Sequence, residues 1–193
     1  MTIKTRLIDY RDGDSVFEGM LAWDDAVDGP RPGVLVAHTI RGRSQFEESK
    51  AVALAEQGYT GFAVDVYGKE AIGSDIEACR EMMEALRSER AALQQRLLLA
   101  LQAMRDQPEV DATSVAAIGY CFGGLCVLDI ARTGEPLAGV VSFHGLFDPP
   151  GNTSDNRIAA RVLALHGWDD PLATPERAVA LGEELSSMGA DWQ

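Results

Sequence analysis

Five short apolar runs, at 34–37, 62–66, 115–118, 140–143 and 162–165, constrain this chain more than any other feature. Val34-Leu35-Val36-Ala37 is continuous rather than alternating with polar residues, the pattern of a strand buried on both faces, and the other four repeat it with only Asp65 and Ser142 as polar or charged members. Between them lie stretches with helical spacing. Phe46, Ala51, Leu54 and Ala55 precede Gly58 at a C-cap position, and 122–133 and 175–188 follow later. Strand and helix in alternation predict an α/β fold with a mostly parallel sheet flanked by helices. Residues 3–9 and 15–23, joined by Asp12-Gly13-Asp14, read as an antiparallel pair opening that sheet. The segment 74–106 holds no Gly or Pro and carries apolar residues at helical spacing from Ile76 to Met104. Its length predicts two consecutive helices, or one broken near Ser88, with Ser74-Asp75-Ile76-Glu77 as an opening capping box. Such a segment packs on the sheet as an amphipathic layer, and its first half could also overhang a site and touch substrate.

The 193 residues carry 30 Asp and Glu against 17 Lys and Arg, a formal charge of −13. A chain this acidic repels phosphate backbones and anionic lipids, which argues against nucleic acid or a membrane surface as partner. No apolar run reaches the length of a bilayer span, and the first residues lack a signal-peptide pattern. Three cysteines are too few for a disulfide framework, so the expectation is a cytoplasmic protein with reduced thiols. No linker or repeat divides the chain, so 1–193 reads as one domain.

Gly119-Tyr120-Cys121-Phe122-Gly123-Gly124 follows one apolar run and opens a helical stretch. Strand, sharp turn, nucleophile and helix form a nucleophile elbow, in which small residues two positions either side of the nucleophile leave room for the turn. The nucleophile here would be a thiol, and the positive end of a helix dipole favours the thiolate. Cys79 and Cys126 read as small apolar fillers on helices. The alternative is a buried Cys in a glycine-rich connection, although GYCFGG lacks the Lys-Ser/Thr of a P-loop.

On this motif, and on the order and spacing of the strands, the whole chain resembles the dienelactone hydrolase family, the cysteine branch of the α/β-hydrolase fold. The resemblance implies a carboxylic ester hydrolase acting through Cys121, with no metal or organic cofactor and a small ester or lactone as partner. Ala37-His38-Thr39-Ile40-Arg41-Gly42 then matches the oxyanion loop, with Ile40 and Phe122 supplying the N–H donors and His38, Thr39 and His144 as candidates to line the substrate pocket. Thr39 stands where founding members carry a glutamate that helps to control the thiol, a role threonine cannot fill. Leu165-His166-Gly167-Trp168-Asp169-Asp170-Pro171 matches the loop of the catalytic acid, selecting Asp170 with Asp169 as the near alternative. Arg41, Arg43, Arg80 and Arg87 are candidates to hold a substrate carboxylate.

The family's general base is a histidine that follows the acid, yet His38, His144 and His166 all precede Asp170. The expectation is therefore that the base, with the last strand and helix of the fold, lies past Gln193. The alternative is that His144 or His166 serves, since both sit at the sheet edge where α/β ligands bind. No C-x-x-C or H-x-x-x-H spacing suggests a metal site. The leading expectation is a lactone or enol-lactone hydrolase of dienelactone type. A general carboxylesterase or thioesterase uses the same machinery, and a non-catalytic binding or redox-sensing module would keep Cys121 as a plain thiol.

Overall fold

A computed structural model describes residues 1–69, 71 and 75–193. Its sheet has seven strands: β1 (Ile3–Asp12), β2 (Ser15–Asp24), β3 (Arg31–Ala37), β4 (Thr60–Ala63), β5 (Val110–Tyr120), β6 (Gly139–Phe143) and β7 (Arg161–Leu165). The spatial order is β1-β2-β4-β3-β5-β6-β7. β1 and β2 are antiparallel to their neighbours, and the strands from β4 to β7 run parallel. The opening hairpin turns on Gly13 at φ +56°, with Asp12 paired to Ser15. A positive φ at the first turn residue suits the twist of a two-residue hairpin.

Helix α1 (Gln45–Glu56) covers one face of the sheet. Ala51 and Ala55 lie there against Met20, Ala22 and Ala63. The approach is close because Gly61 faces the helix: a Cβ there would overlap the Ala51 carbonyl. The other face meets α3 (Arg90–Arg105) and α4 (Phe122–Arg132), preceded by α2 (Ile76–Ser88). Leu93, Leu97, Ala100, Leu101 and Met104 form the buried stripe of α3 and pack with Phe17, Leu35 and Phe62. Helix α5 (Pro175–Ser187) follows β7.

The expected pair of helices in 74–106 is present, with the break at Glu89. Asp75 caps α2, accepting from the Glu77 and Ala78 amides. The expected box put the cap one residue earlier, on Ser74, which lies outside the described residues. The strand expected over 62–66 closes at Ala63. Beyond it the amides find other acceptors: Asp65 N–H donates to the Tyr10 hydroxyl and Val66 N–H to His38 Nε2.

A buried ionic cluster ties the helices on the second face. Asp129 and Arg132 are fully buried. Asp129 accepts from Arg90 Nε at 2.7 Å and Arg132 Nη1 at 3.2 Å, while Arg132 donates twice to Glu184 of α5, at 2.8 and 2.7 Å. Arg132 also donates to the Phe147 carbonyl, anchoring the segment after β6. Such charges are tolerable because each is paired and hydrogen-bonded.

The last residues begin another parallel pairing. Val162 N–H donates to the Asp191 carbonyl, and Ala164 N–H to that of Gln193, both at 2.9 Å. Large exposed apolar side chains gather at this end of the sheet, among them Leu165, Trp168, Val179 and Trp192. Among the described residues, no helix is long and apolar enough to cross a membrane.

Candidate active site

Cys121 joins the end of β5 to the first residue of α4 with φ +56° and ψ −114°. Positive φ is rare for a residue with a side chain, and His144 at +42° is the other such position among the described non-glycine residues. The glycines around it make the turn possible. A Cβ on Gly119 would overlap the Gly123 carbonyl, and one on Gly123 would overlap the Ala37 carbonyl. One on Gly124 would come within 2.6 Å of Gly145 Cα. The start of α4 therefore lies directly on the exit of β3, with no side chain between them.

These close contacts make Gly123→Ala a severe change. Its methyl group would meet a backbone oxygen rather than a movable side chain. A loss of about 3 kcal/mol or more is expected, the upper range for overpacking. A thermal melt checks it, and an unchanged midpoint would mean that the β3–α4 contact is looser than described.

Hydrogen bonds link the strand exits along this edge. Cys121 N–H donates to the Phe143 carbonyl at 3.0 Å, and His144 N–H to that of Leu165 at 2.8 Å. The half-buried Cys121 thus stands between the exits of β3 and β6, within reach of solvent. Cys79 and Cys126 are buried, and burial pushes the Cys126 thiol well above its ordinary value. The first amides of a helix have no intrahelical acceptor, so the Phe122 N–H is available to an oxyanion beside the thiol. The Phe122 ring is fully buried, stacked on Tyr67 at 6.0 Å between centroids.

The loop after β3 is held by polar groups on several sides. Glu47, in the first turn of α1 and fully buried, accepts from Thr39 N–H at 3.1 Å, Ser44 N–H at 3.0 Å and the Ser44 hydroxyl at 2.7 Å. The Tyr67 hydroxyl donates to the Ile40 carbonyl at 3.0 Å. His38 is 1% exposed, turned into the protein with both ring nitrogens engaged. Burial pushes its imidazole below the ordinary histidine value, so it is neutral at physiological pH. Sequence alone does not single out Glu47. Its signal was present in Ser44-Gln45-Phe46-Glu47, a capping box, but the reach back to Thr39 is a tertiary contact.

The loop after β7 presents the two candidate acids differently. Asp170 Oδ1 accepts from Leu172 N–H at 2.8 Å and Ala173 N–H at 3.4 Å, which fixes the carboxylate and leaves Oδ2 for another donor. Asp169 is exposed. His166 packs its ring 4.8 Å from Phe147, with both ring nitrogens buried. His144 is exposed at the end of β6.

Of the four candidate arginines, three are committed elsewhere. Arg43 pairs with Glu18 and Glu48, Arg80 with Glu77, and Arg87 with Glu84 and Asp148. Arg41 has no ion pair among the described residues and lines a cleft of about 330 Å³ with Arg43, Asp65 and Cys79.

Comparison with known proteins identifies the family of this fold. The sequence profile described as the Dienelactone hydrolase family matches residues 17–193. A solved structure named m3DLH is 39% identical with a TM-score of 0.95, and the match covers all of this chain and 80% of that one. The dienelactone hydrolase-like promiscuous phosphotriesterase P91 from metagenomic libraries is 37% identical with a TM-score of 0.92, at the same coverage. A protein of Synechocystis sp. named "Putative carboxymethylenebutenolidase" is 28% identical over 91% of this chain and 77% of its own length. Matches to other curated relatives span 36% to 65% of those proteins. The chain therefore belongs to the dienelactone hydrolase family, a family of carboxylic ester hydrolases.

Proposed function

We propose that the protein hydrolyses a lactone or enol-lactone through a thioester on Cys121. The observation that carries this reading is the Cys121 backbone, held at positive φ between strand and helix by glycines that leave room for nothing else. A strained, half-exposed thiol at a helix start is a costly arrangement for a plain structural cysteine and a fitting one for a nucleophile. The thiolate attacks the carbonyl carbon, and the electron pair of the C=O bond moves to oxygen. The Ile40 and Phe122 amides hold that oxyanion, whose charge develops beside preorganised donors. Collapse of the intermediate expels the ring oxygen as an enolate, which stays tethered to the acyl group as the ring opens. Water then attacks the thioester, losing its proton to an imidazole oriented by Asp170. Collapse expels Cys121 as the thiolate, and the imidazolium passes the proton to the enolate, which restores the starting state.

The family, and the relative from Synechocystis named "Putative carboxymethylenebutenolidase", support lactone chemistry over open esters. Arg41, the one of the four candidates with no ion pair among the described residues, two positions after Thr39 in the proposed oxyanion loop, suits a substrate that carries a carboxylate. The test compares kcat/KM on a carboxylated enol-lactone, a neutral aryl ester and an acyl thioester. The lactone should lead by at least about tenfold, a difference of 1.4 kcal/mol in transition-state binding. A lead for the thioester, or turnover of none of the three, would overturn the proposal.

A further inference from the structure

The Thr39 carbonyl and the Ile40 N–H belong to one peptide unit, and in a trans peptide they point in opposite directions. Whatever holds the carbonyl therefore aims the N–H. That carbonyl accepts from His38 Nδ1 at 2.6 Å and from Gly42 N–H at 3.3 Å. The tautomer follows from the other side of the ring. Val66 N–H can only donate, and it lies 3.3 Å from His38 Nε2, so Nε2 is the acceptor and Nδ1 carries the proton. The ring is further wedged between Tyr67, 4.6 Å away, and Phe122, 5.9 Å away, measured between centroids. The imidazole thus spans from the exit of β4 to the loop after β3, donating at one end and accepting at the other.

We infer that His38 is a positioning residue for the oxyanion hole: its Nδ1–H, bonded to the Thr39 carbonyl, aims the Ile40 N–H at the substrate oxygen. This rests on the acyl-transfer reading above and deepens it. The neighbouring bonds serve the same peptide chain, since Glu47 holds Thr39 N–H and the Tyr67 hydroxyl holds the Ile40 carbonyl. A donor fixed on three sides needs no reorganisation when charge appears, which is the condition for strong oxyanion stabilisation. Polarisation along the chain from Val66 N–H through the ring to the Thr39 carbonyl also strengthens the Ile40 donor.

The experiment measures two reactions of Cys121 in the same variants. Acylation by p-nitrophenyl acetate, read as the burst of nitrophenolate, passes through an oxyanion. Alkylation by iodoacetamide displaces iodide at a methylene carbon and forms none. His38→Ala should slow acylation by about 10²-fold, the scale for losing an oxyanion donor, while alkylation stays unchanged. His38→Asn keeps an N–H near the Nδ1 position and should recover most of the burst rate. Tyr67→Phe keeps the ring and deletes only the hydroxyl on the Ile40 carbonyl, so it tests the clamp even if His38→Ala does not fold. It should slow acylation about fivefold, the worth of one ordinary hydrogen bond, again without changing alkylation. Equal loss in both reactions, or unchanged acylation in His38→Ala or in Tyr67→Phe, would overturn the inference. A wild-type protein that alkylates but releases no nitrophenolate would instead overturn the acyl-transfer reading, and the inference would fall with it.

Discussion

Cys121→Ala abolishes lactone and ester hydrolysis and leaves the melting temperature within a few degrees of the wild type. The expected fall in kcat is on the order of 10⁵–10⁶, the scale for removing a nucleophile from an acyl-transfer site. Stability is spared because alanine also has a Cβ: the strain of φ +56° is the same, and only a half-exposed sulfur is lost. Cys121→Ser should keep a small residue of activity, since a hydroxyl needs a stronger base than a thiol to become a nucleophile. Steady-state assays with thermal melts check both variants. Full activity in the alanine variant would remove Cys121 from the chemistry.

Asp170→Asn should lower turnover by about 10⁴-fold, the cost of mis-setting the tautomer of a catalytic imidazole. The amide is isosteric, and its oxygen can still accept from Leu172 and Ala173 N–H, so the loop keeps its shape. Only the oxygen facing away from those amides changes character, from acceptor to donor. Acylation should continue in this variant and the thioester should accumulate, because the imidazole is needed to activate water. Asp169, exposed and outside that turn, should tolerate the same change with a loss of less than about tenfold. A reversed order would make Asp169 the orienting acid.

Much of this architecture was legible because its causes are local. The buried strands announce themselves as continuous apolar runs, and the elbow as small residues around a nucleophile before a helix. The steric need behind that pattern is visible at Gly119 and Gly123, where any Cβ would strike backbone. What sequence could not supply were contacts across the fold. Residues 64–66 look like more strand by composition, yet tertiary partners take their amides out of the ladder at Asp65 and Val66. His38 reads from sequence as a candidate to line the pocket, yet the fold buries it, and only the Val66 bond sets its tautomer. Glu47 caps its own helix through one oxygen, and only the folded loop brings Thr39 N–H to the other. The distinction between Arg41 and the other candidate arginines depends in part on distant partners, Glu18 for Arg43 and Asp148 for Arg87, whereas Arg80 pairs with Glu77 one turn away.

The central claim is a covalent acyl-enzyme at Cys121, and rapid-quench mass spectrometry after mixing with p-nitrophenyl acetate tests it most directly. One added acetyl group is expected, mapped to the peptide containing Cys121, released by hydroxylamine and absent from Cys121→Ala. Turnover without an adduct, or an acetyl group mapped to any other residue in step with the burst, would contradict it.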